Sequence, residues 1–549
     1  MGAGMDDGKG AGAGNVAATG MDAAAGAAAY AVVFTVADAV EALAGAGLLD
    51  HVEGPEGADA LKVPVTGCSF DSREVGPGAL FFAKGAHFEP SFLDGALAAG
   101  ASCFVADASL AGALGARPGA GRVQGIYVTD VRRAMSVLPP LVYGHPDREL
   151  EVVGITGTKG KSTTAYMLRA ILMAAGREPG ILGSIMTDDG VERFESHNTT
   201  PEAPELWRHL AHCRESGRHE MVMEVSSQGL KYGRVAGLPL DIACFLNIGR
   251  DHISAIEHPT FEDYFESKLL MFKQCATAVV NLGTDHVERV LEAAREGADR
   301  VVTVAVEGVA GAESAAVRAV DVRAEEGRID FTLELAAALS PTGEPCRRAI
   351  ELGIPGGFNV ENALVAIACA RLLGVGLDDI AAGLTHVRVP GRMEVVRSDD
   401  GRVVALVDYA HNKLSYQRLF ESVKREYAGR RVIAVFGAPG GKAKERRRDL
   451  PQTAAPYTDL MIFTEEDPAY ERVEDICAEL AANVPEGSAY EIICDRERAV
   501  KRAFDVAAEG GPAIVLLLAK GDETRQHRGD DYPTVKSDLA MARELIRTM

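Results

Sequence analysis

The sequence predicts an α/β protein of three domains, with a central P-loop-type, doubly wound parallel sheet and a Rossmann-like C-terminal domain. The chain of 549 residues is long enough for about three to four domains. Short apolar segments alternate with helical patterns along most of it, which is typical of strand–helix–strand units. A strand, a glycine-rich loop and a helix follow one another at 151–172, as at a nucleotide site on the carboxyl edge of a parallel sheet.

Shifts in composition divide the chain into four parts. Residues 1–28 are rich in Gly and Ala and lack the basic and apolar regions of a signal peptide, which predicts a disordered tail. An N-terminal domain is expected at 29–145, a central domain at 151–353 and a C-terminal domain at 390–549. Strands are expected at 79–83, 103–106, 125–128, 221–225, 241–247, 276–281, 404–408, 432–436, 460–463 and 513–518. Helices are expected at 92–99, from Pro201 onward and at 360–373.

Charge and cysteine content exclude several classes of protein. The net charge of −22 argues against non-specific nucleic-acid binding, which needs a basic face. The nine cysteines contain no C-x-x-C pair, which favours reduced thiols over a disulfide framework or a cysteine-based zinc site. No apolar run reaches the roughly 18 residues of a membrane span. We therefore expect a cytoplasmic protein that binds neither nucleic acid nor membrane.

The segment EVVGITGTKGKSTTAYMLRAIL, 151–172, predicts a phosphate-binding loop. Gly157 and Gly160 let the backbone approach an anion closely, and the positive end of the following helix adds to the attraction. Lys161 is expected against the β- and γ-phosphates, with the hydroxyl of Ser162 on Mg²⁺. The strict GxxxxGK[ST] pattern is not met, because Ile155 stands at its first glycine. The competing interpretation is a structural turn.

Three further residues are candidates for a metal and phosphate site. Glu224 ends the apolar strand MVMEV, where an acidic side chain would face the crevice beyond the strand ends. His252 follows another strand, and Lys268 lies within a helical pattern. From the residues alone, the alternatives are a surface glutamate at 224, a structural histidine at 252 and a solvated lysine at 268. The Ser226-Ser227 pair favours a metal ligand at Glu224.

Seven motifs in a fixed order give a more specific indication. They are GITGTKGKST, HNTTPE (197–202), MEVSSQGL (223–230), DHISAIEHPTFEDYFESK (251–268), GGFNVENAL (356–364), VPGRMEV (389–395) and VDYAH (407–411). Ahead of them, FDSREVGPGALFFAKG (70–85) looks like a uridine-nucleotide domain. In this order the motifs resemble the Mur ligase family, MurE type, from about Phe70 to the C-terminus.

The resemblance implies an ATP-dependent, amide-bond-forming ligase of peptidoglycan synthesis. ATP would phosphorylate the terminal carboxylate of UDP-N-acetylmuramoyl-L-alanyl-D-glutamate, and the amine of an amino acid would attack the acyl phosphate. The implied cofactors are ATP and Mg²⁺. The implied partners are small molecules only, and we expect a monomer.

The resemblance also assigns roles to individual residues. The catalytic residues would be Lys161, Lys268, His252 and Glu224. The metal ligands would be Ser162, Glu224, His252 and Lys268, the last carbamylated by CO₂. ATP would contact Gly157, Thr158, Gly160, Lys161, Ser162, Thr163, Asn281, Asp285, Phe358, Asn359, Arg392, Asp408 and His411. The UDP-substrate would contact Ser72, Arg73, Thr199, Thr200, Ser226 and Arg234.

The segment 466–470 bears on the choice of amino acid. Family members that use meso-diaminopimelate usually have DNPR here, whose arginine holds the distal carboxylate, whereas this chain has Ala469 at that position. Acidic residues at Glu466, Asp467, Asp522 and Glu523 favour a distal ammonium, so L-lysine is expected. Arg447 is the expected partner of the α-carboxylate.

The motifs leave three competing ligase activities open. Ornithine is one methylene shorter than lysine, a difference that a pocket separates by only about 1–3 kcal/mol. A Mur ligase that uses meso-diaminopimelate is the second possibility, and a ligase of the folylpolyglutamate-synthase type is the third. The 70–85 segment counts against the folate ligase, which would not need a uridine-nucleotide domain.

Overall fold

A computed structural model describes residues 33–57, 59–85, 88–250, 253, 257–325 and 327–549. The predicted tail at 1–28 and the predicted metal ligand His252 lie outside the described residues. The described residues form three sheets, of five, eleven and six strands. The predicted α/β class is confirmed.

The N-terminal sheet has helices on both sides. Its strands are β1 (Leu49–Glu53), β2 (Gly67–Ser69), β3 (Ala79–Ala83), β4 (Cys103–Asp107) and β5 (Gln124–Val128). The α-helices of this part are α1 (Val36–Gly45), α2 (Ser91–Ala98), α3 (Ala111–Gly115) and α4 (Val131–Val142). The strand order is β1-β5-β4-β3-β2, and only the β1–β5 pair is antiparallel. Strands β3 and β5 are buried along their whole length, as expected of continuous apolar runs in a parallel sheet.

The central sheet carries the glycine-rich loop. Its strands are β6 (Glu151–Thr156), β7 (Gly180–Leu182), β8 (Met186–Asp188), β9 (Arg193–Glu195), β10 (Glu220–Glu224), β11 (Leu240–Phe245), β12 (Cys275–Asn281), β13 (Arg300–Val306), β14 (Val317–Glu325), β15 (Arg328–Leu335) and β16 (Cys346–Leu352). Its α-helices are α5 (Lys161–Ala174), α6 (Ala203–Glu215), α7 (Ser227–Lys231), α8 (Phe261–Leu269), α9 (Val287–Gly297), α10 (Asn359–Leu372) and α11 (Leu377–Thr385). The order is β16-β15-β14-β13-β12-β11-β6-β10-β7-β8-β9.

Three details of this central part differ from the sequence interpretation. The sheet is parallel only from β7 to β14, because β8 and β9 at one edge and β15 and β16 at the other are antiparallel additions. Helices α10 and α11 pack on α5, so the central core extends beyond residue 353. Helix α6 begins at Ala203 and not at Pro201, since Glu202 and Glu205 form a capping box at its start.

The C-terminal sheet has the expected doubly wound arrangement. Its strands are β17 (Glu394–Arg397), β18 (Val403–Asp408), β19 (Arg431–Phe436), β20 (Leu460–Phe463), β21 (Tyr490–Ile492) and β22 (Ala513–Leu518). Its α-helices are α12 (Lys413–Glu426), α13 (Arg446–Ala454), α14 (Val473–Ala482), α15 (Arg496–Ala508) and α16 (Asp538–Arg547). The order is β17-β18-β22-β19-β20-β21, with only β17 antiparallel to its neighbour.

Two global expectations can be compared with these elements. All nine cysteines lie in the described ranges and are free thiols. Within those ranges, no helix combines the length and the apolar character needed to cross a bilayer.

Candidate active site

The glycine-rich loop forms the predicted strand–loop–helix unit. Strand β6 ends at Thr156, and helix α5 begins at Lys161. Gly160 caps the helix at φ +92°, and a Cβ atom there would lie 2.3 Å from Oδ1 of Asn362, so only glycine fits. Because no side chain caps this helix, the N–H groups of its first turn face the loop as a site for an anion.

Two lysines meet beneath this loop. Lys161 Nζ and Lys268 Nζ each donate a hydrogen bond of 3.0 Å to the carbonyl oxygen of Gly157. Lys268 is 1% exposed, and its Nζ lies 4.8 Å from the ring centre of Tyr264. Lys268 is therefore buried beneath the loop, which excludes a solvated lysine.

Glu224 lies at the end of β10, beside the start of α5. The side chain is 2% exposed, which excludes a surface glutamate. Its Oε1 accepts hydrogen bonds from the backbone N–H of Ser184 at 2.8 Å and from Ser184 Oγ at 3.2 Å. Ser184 Oγ is in turn 3.0 Å from Ser162 Oγ. A chain of oxygen atoms thus joins the loop serine to the strand-end glutamate.

Ser184 is a site residue that the sequence interpretation missed. It follows β7, the strand next to β10, within the short sequence GILGSI. Gly183 precedes it, and a Cβ atom on Gly183 would lie 2.4 Å from Glu224 Oε1. A small-residue pair directly after a buried strand was the available signal, because such a pair leaves room for a neighbouring strand-end side chain.

This oxygen set fits Mg²⁺. Hydroxyl and carboxylate oxygens are the ligands that this ion prefers, and it usually binds through few protein groups together with substrate phosphates. Ser162 and Glu224 provide such oxygens within a buried corner next to the phosphate loop. The structure thus brings together Lys161, Glu224 and Lys268 of the predicted catalytic residues with Ser162 of the predicted metal ligands.

A cavity of about 380 Å³ opens in front of this corner, between the central and C-terminal sheets. Of the predicted ATP residues, it is lined by Thr158, Gly160, Lys161, Ser162, Thr163, Phe358, Asn359, Arg392, Asp408 and His411. Asn281 lies behind the wall, where its Nδ2 is 3.2 Å from Oε2 of the lining residue Glu361. Asp285 is exposed on a turn and does not line this cavity.

Asp408 and His411 are held by backbone groups at the cavity wall. Asp408 accepts hydrogen bonds from the N–H groups of Met393 at 2.8 Å and Ala410 at 2.7 Å. His411 Nδ1 donates to the Tyr409 carbonyl oxygen at 2.7 Å. Burial raises the pKa of Asp408 and lowers the pKa of His411, which favours a neutral imidazole. The two oxygens of Asp408 thus bind backbone groups on both sides, one directly before β17 and one in the loop after β18.

Thr200 and Ser226 connect the predicted UDP-substrate segment to the end of β10 at Glu224. Thr200 Oγ1 donates to the backbone oxygen of Glu224 at 3.0 Å and accepts from the N–H of Ser226 at 2.9 Å. Arg234 Nη1 donates to the backbone oxygen of Thr200 at 3.0 Å. Thr199 lines the 380 Å³ cavity itself, so the segment passes directly beside the predicted ATP residues.

The same segment is linked to the N-terminal sheet through Glu202. Its carboxylate pairs with Arg234 at 2.9 Å and with Lys84, after β3, at 2.8 Å. A cavity of about 850 Å³ separates the N-terminal sheet from β9 and α6 nearby. Ser72 and Arg73, predicted to contact the uridine end, do not line this cavity, and Arg73 extends into solvent beside Asp71.

A third cavity, of about 500 Å³, adjoins the 380 Å³ cavity. The two share Ser184, Arg392 and Tyr409 in their walls. Asp522 and Glu523 of the predicted amino-acid site line the third cavity, together with Lys520. Lys520 pairs with Glu523 at 2.7 Å and with Asp467 at 3.0 Å, so one ammonium offsets part of this acidic charge. The sequence interpretation missed this role of Lys520, although it directly precedes Gly521-Asp522.

Glu466 is the least compensated of the predicted acidic residues. It is 8% exposed, and its buried Oε2 accepts no hydrogen bond among the described residues. Burial raises the pKa of this carboxyl to about 7. The positive charge of Arg446 is the largest opposing influence, and that of Lys520 also acts on it.

Arg447 is a correction to the sequence interpretation. It is 2% exposed and already pairs with Glu471 at 2.9 Å and Glu479 at 3.0 Å. A guanidinium enclosed by two carboxylates is not available to the α-carboxylate of an amino acid, so this prediction is wrong. Ala469 lies in the same region at φ +49°, and its N–H donates to His527 O at 3.1 Å.

Comparisons with known proteins agree with this geometry. The sequence model of the Mur ligase middle domain matches residues 155–370, and that of the Mur ligase glutamate ligase domain matches 391–521. A UDP-N-acetylmuramyl-tripeptide synthetase of Lactobacillus delbrueckii is 36% identical over 89% of this chain and 95% of its own. A UDP-N-acetylmuramoyl-L-alanyl-D-glutamate–L-lysine ligase of Streptococcus sanguinis is 35% identical over 87% and 92%.

Solved structures show the same fold. A UDP-N-acetylmuramoyl-L-alanyl-D-glutamate–2,6-diaminopimelate ligase superposes with a TM-score of 0.60 at 25% identity, over 90% of this chain and 97% of the other. A MurF ligase of Thermotoga maritima in complex with ADP gives 0.58 at 19% identity, over 88% and 99%. On the strength of both domain matches and the near-full-length relatives, the chain belongs to the Mur ligase family of ATP-dependent, amide-bond-forming ligases.

Proposed function

We propose that this ligase adds L-lysine to UDP-N-acetylmuramoyl-L-alanyl-D-glutamate through an acyl phosphate. One observation carries the proposal: the 380 Å³ cavity beside the phosphate loop and the 500 Å³ cavity lined by Asp522 and Glu523 adjoin and share the side chains of Ser184, Arg392 and Tyr409. A carboxylate activated in the first cavity would thereby lie next to an amine held in the second. The relatives named as lysine ligases, at 34–35% identity, support the same substrates.

Phosphoryl transfer requires two anions to approach one another. Lys161 would leave the Gly157 carbonyl to contact the β- and γ-phosphates, while the first turn of α5 binds them through N–H groups. Ser162 and Glu224 would hold Mg²⁺, which neutralises phosphate charge. Arg392, over the ring of Tyr409 at 4.5 Å, adds a cation on the C-terminal side.

Lys268 has a separate proposed role. A neutral amine there would react with CO₂ to form a carbamate and release a proton, which would convert a buried cation into an oxygen ligand. Its position beside the Gly157 carbonyl, on the loop that leads to Ser162, is suitable for a second metal contact. The hydrogen bond to that carbonyl also holds the amine at this place before it reacts.

The carboxylates at 466, 467, 522 and 523 support a cationic side chain as substrate. They would act at the end of the cavity near Lys520, since the wall of this cavity also carries Arg169, Arg193, Arg388 and Arg392. Asp467 and Glu523 pair with the ammonium of Lys520, Asp522 lines the same cavity, and Glu466 lies buried near Asp467 and Lys520. A lysine ammonium would offset the uncompensated carboxylates, whereas the distal carboxylate of meso-diaminopimelate would add to the repulsion. Arg446 replaces Arg447 as the proposed partner of the α-carboxylate, because its charge acts on Glu466 and it forms no salt bridge within the described ranges.

The test is phosphate release with UDP-N-acetylmuramoyl-L-alanyl-D-glutamate, ATP and a panel of L-lysine, L-ornithine and meso-diaminopimelate. We expect kcat/KM for lysine to exceed that for meso-diaminopimelate by about a hundredfold or more, since a contact is lost and repulsion is added. Ala469→Arg should narrow this difference, and Ala469→Met controls for side-chain size without charge. A wild-type preference for meso-diaminopimelate would refute the lysine assignment. A folyl substrate used in place of the UDP-substrate would refute the MurE-type assignment.

A further inference from the structure

A cluster of side chains outside the proposed active site has the composition of a metal centre. Within the part of the chain that the structure describes, Asp189, Glu192, His209 and His212 bring four donor atoms within 4.8 Å of one another. Asp189 and Glu192 lie at the turn between β8 and β9. His209 and His212 lie three residues apart on one face of α6.

The donor atoms converge on one carboxylate oxygen. Oδ2 of Asp189 lies 2.6 Å from Nδ1 of His209 and 3.0 Å from Nδ1 of His212. Oε2 of Glu192 is 3.8 Å from Nδ1 of His209. Asp189 is fully buried and His209 is 3% exposed, so this is not an ordinary solvated group of charges.

Hydrogen bonds account for only part of the cluster. The other oxygen of Asp189 accepts hydrogen bonds from the N–H groups of Val191 and Glu192, which fixes the carboxylate as supporting contacts fix a metal ligand. Glu192 Oε1 accepts from Arg208 at 3.0 Å. Its buried Oε2, however, accepts no hydrogen bond among the described residues, although it points toward His209. A cation between the imidazoles would satisfy this oxygen.

We propose that Asp189, Glu192, His209 and His212 form a Zn²⁺ site that fastens the β8–β9 turn to helix α6. Two imidazole nitrogens and two carboxylate oxygens suit Zn²⁺, which takes four ligands in structural sites, better than Mg²⁺, which prefers oxygen alone. The sequence interpretation excluded a cysteine-based zinc site and did not consider these residues, because the acidic pair and the histidine pair are separated by a strand and half a helix.

The proposed Zn²⁺ site would stabilise the neighbouring segment between β9 and α6, which is predicted to contact the UDP-substrate. The residues between β9 and α6 include Thr199, Thr200 and Glu202, which link the metal corner to the N-terminal sheet. Glu192, His209 and His212 line the 850 Å³ cavity on the same side. A metal that fixes the turn to the helix would hold both ends of this segment.

Zinc binding to the full-length chain without a polyhistidine tag tests the proposal. After chelator treatment, Zn²⁺ is titrated by calorimetry in millimolar Mg²⁺, which occupies oxygen-only sites. We expect His212→Asn and Glu192→Gln, both at partly exposed positions, each to weaken binding by about tenfold or more. His197→Asn, an exposed histidine in the same cavity, should bind as the wild type does.

Two further readouts identify the ligands. Co²⁺ in place of Zn²⁺ should give visible bands of a four-coordinate site without the near-ultraviolet bands of thiolate ligands, although Cys213 adjoins His212. Zn²⁺ should raise the melting temperature of the wild type and of His197→Asn more than that of either cluster variant. Absence of Zn²⁺ binding by the wild type, or binding unaffected by both cluster substitutions, would overturn the proposal.

Discussion

Replacing Glu466 with Gln should stabilise the folded protein above neutral pH while it impairs the use of lysine. The carboxyl is 8% exposed, and its Oε2 accepts no hydrogen bond among the described residues. Desolvation is the main reason that its pKa rises from the ordinary 4.5 to about 7. An isosteric neutral side chain removes the buried charge without opening a cavity.

The direction of the pH effect follows from proton binding. Because the folded state holds this proton more tightly than the unfolded chain, its contribution to stability is fully present below pH 4.5 and is lost as the pH rises to about 7. The two pKa values differ by about 2.5, and each unit corresponds to about 1.4 kcal/mol. Above pH 7 the buried charge therefore lowers the free energy of unfolding of the wild type by about 3 kcal/mol at most. The gain from Glu466→Gln is smaller than this if the Gln amide finds no hydrogen-bond partner.

The assay is unfolding of wild type and Glu466→Gln, without substrates, at about pH 5 and about pH 8. The variant should gain stability relative to the wild type mainly at the higher pH. Glu465→Gln is the matched control, because the adjacent Glu465 pairs with Arg528 and its replacement should give no such gain. A stability difference between Glu466→Gln and wild type that is equal at both pH values, or a less stable variant at about pH 8, would refute this reasoning.

The same variant separates stability from substrate binding. If Glu466 faces the ammonium of lysine, Glu466→Gln should raise the KM for lysine by about tenfold or more, since a charge-assisted contact is worth about 1.5–3 kcal/mol. The KM for ATP should stay within about twofold. An unchanged KM for lysine would remove Glu466 from the proposed amino-acid site but leave the stability argument intact.

Three other substitutions test the remaining assignments. Lys268→Ala should lower turnover by about a hundredfold or more. Short carboxylic acids should partly restore it, and wild-type activity would contradict the carbamate role. Ser184→Ala removes the hydroxyl between Ser162 and Glu224 and should raise the Mg²⁺ concentration needed for activity by about tenfold, measured against the exposed Ser314→Ala as control. Arg446→Gln should raise the KM for the amino acid and not for ATP, and equal effects on both would contradict its role.

The parts of the fold that the sequence predicts best are governed by local rules. Strands β3, β20 and β22 match their expected bounds because each is a continuous apolar run between turn residues. The loop at 157–160 was predictable because glycine and Gly-Lys-Ser leave few other conformations open. The antiparallel edges of the central sheet were not predictable, since the alternation of strands and helices does not specify how a hairpin joins a sheet.

Site residues, too, were predictable where a contiguous motif specifies them and not where contacts between distant segments do. Lys161, Ser162 and Glu224 belong to contiguous motifs, and the structure brings them to one corner. Arg447 was mispredicted because its partners Glu471 and Glu479 lie on a different part of the C-terminal unit, and sequence gives no sign that an arginine is already paired. Ser184 was missed for the converse reason, since its importance depends on the neighbouring strand β10.

Lys268 and Glu466 are two buried charged groups of the proposed active site, with opposite signs and different hydrogen-bond partners. Lys268 donates to a carbonyl oxygen under the phosphate loop, whereas the Oε2 of Glu466 has no hydrogen-bond donor among the described residues. Burial of either charge opposes folding unless other interactions of the fold offset it. Where a buried charge destabilises the fold near a cavity, its presence is best explained by a ligand that it binds. For Lys268 we propose that the explanation is CO₂ and a metal, and for Glu466 the ammonium of the incoming amino acid.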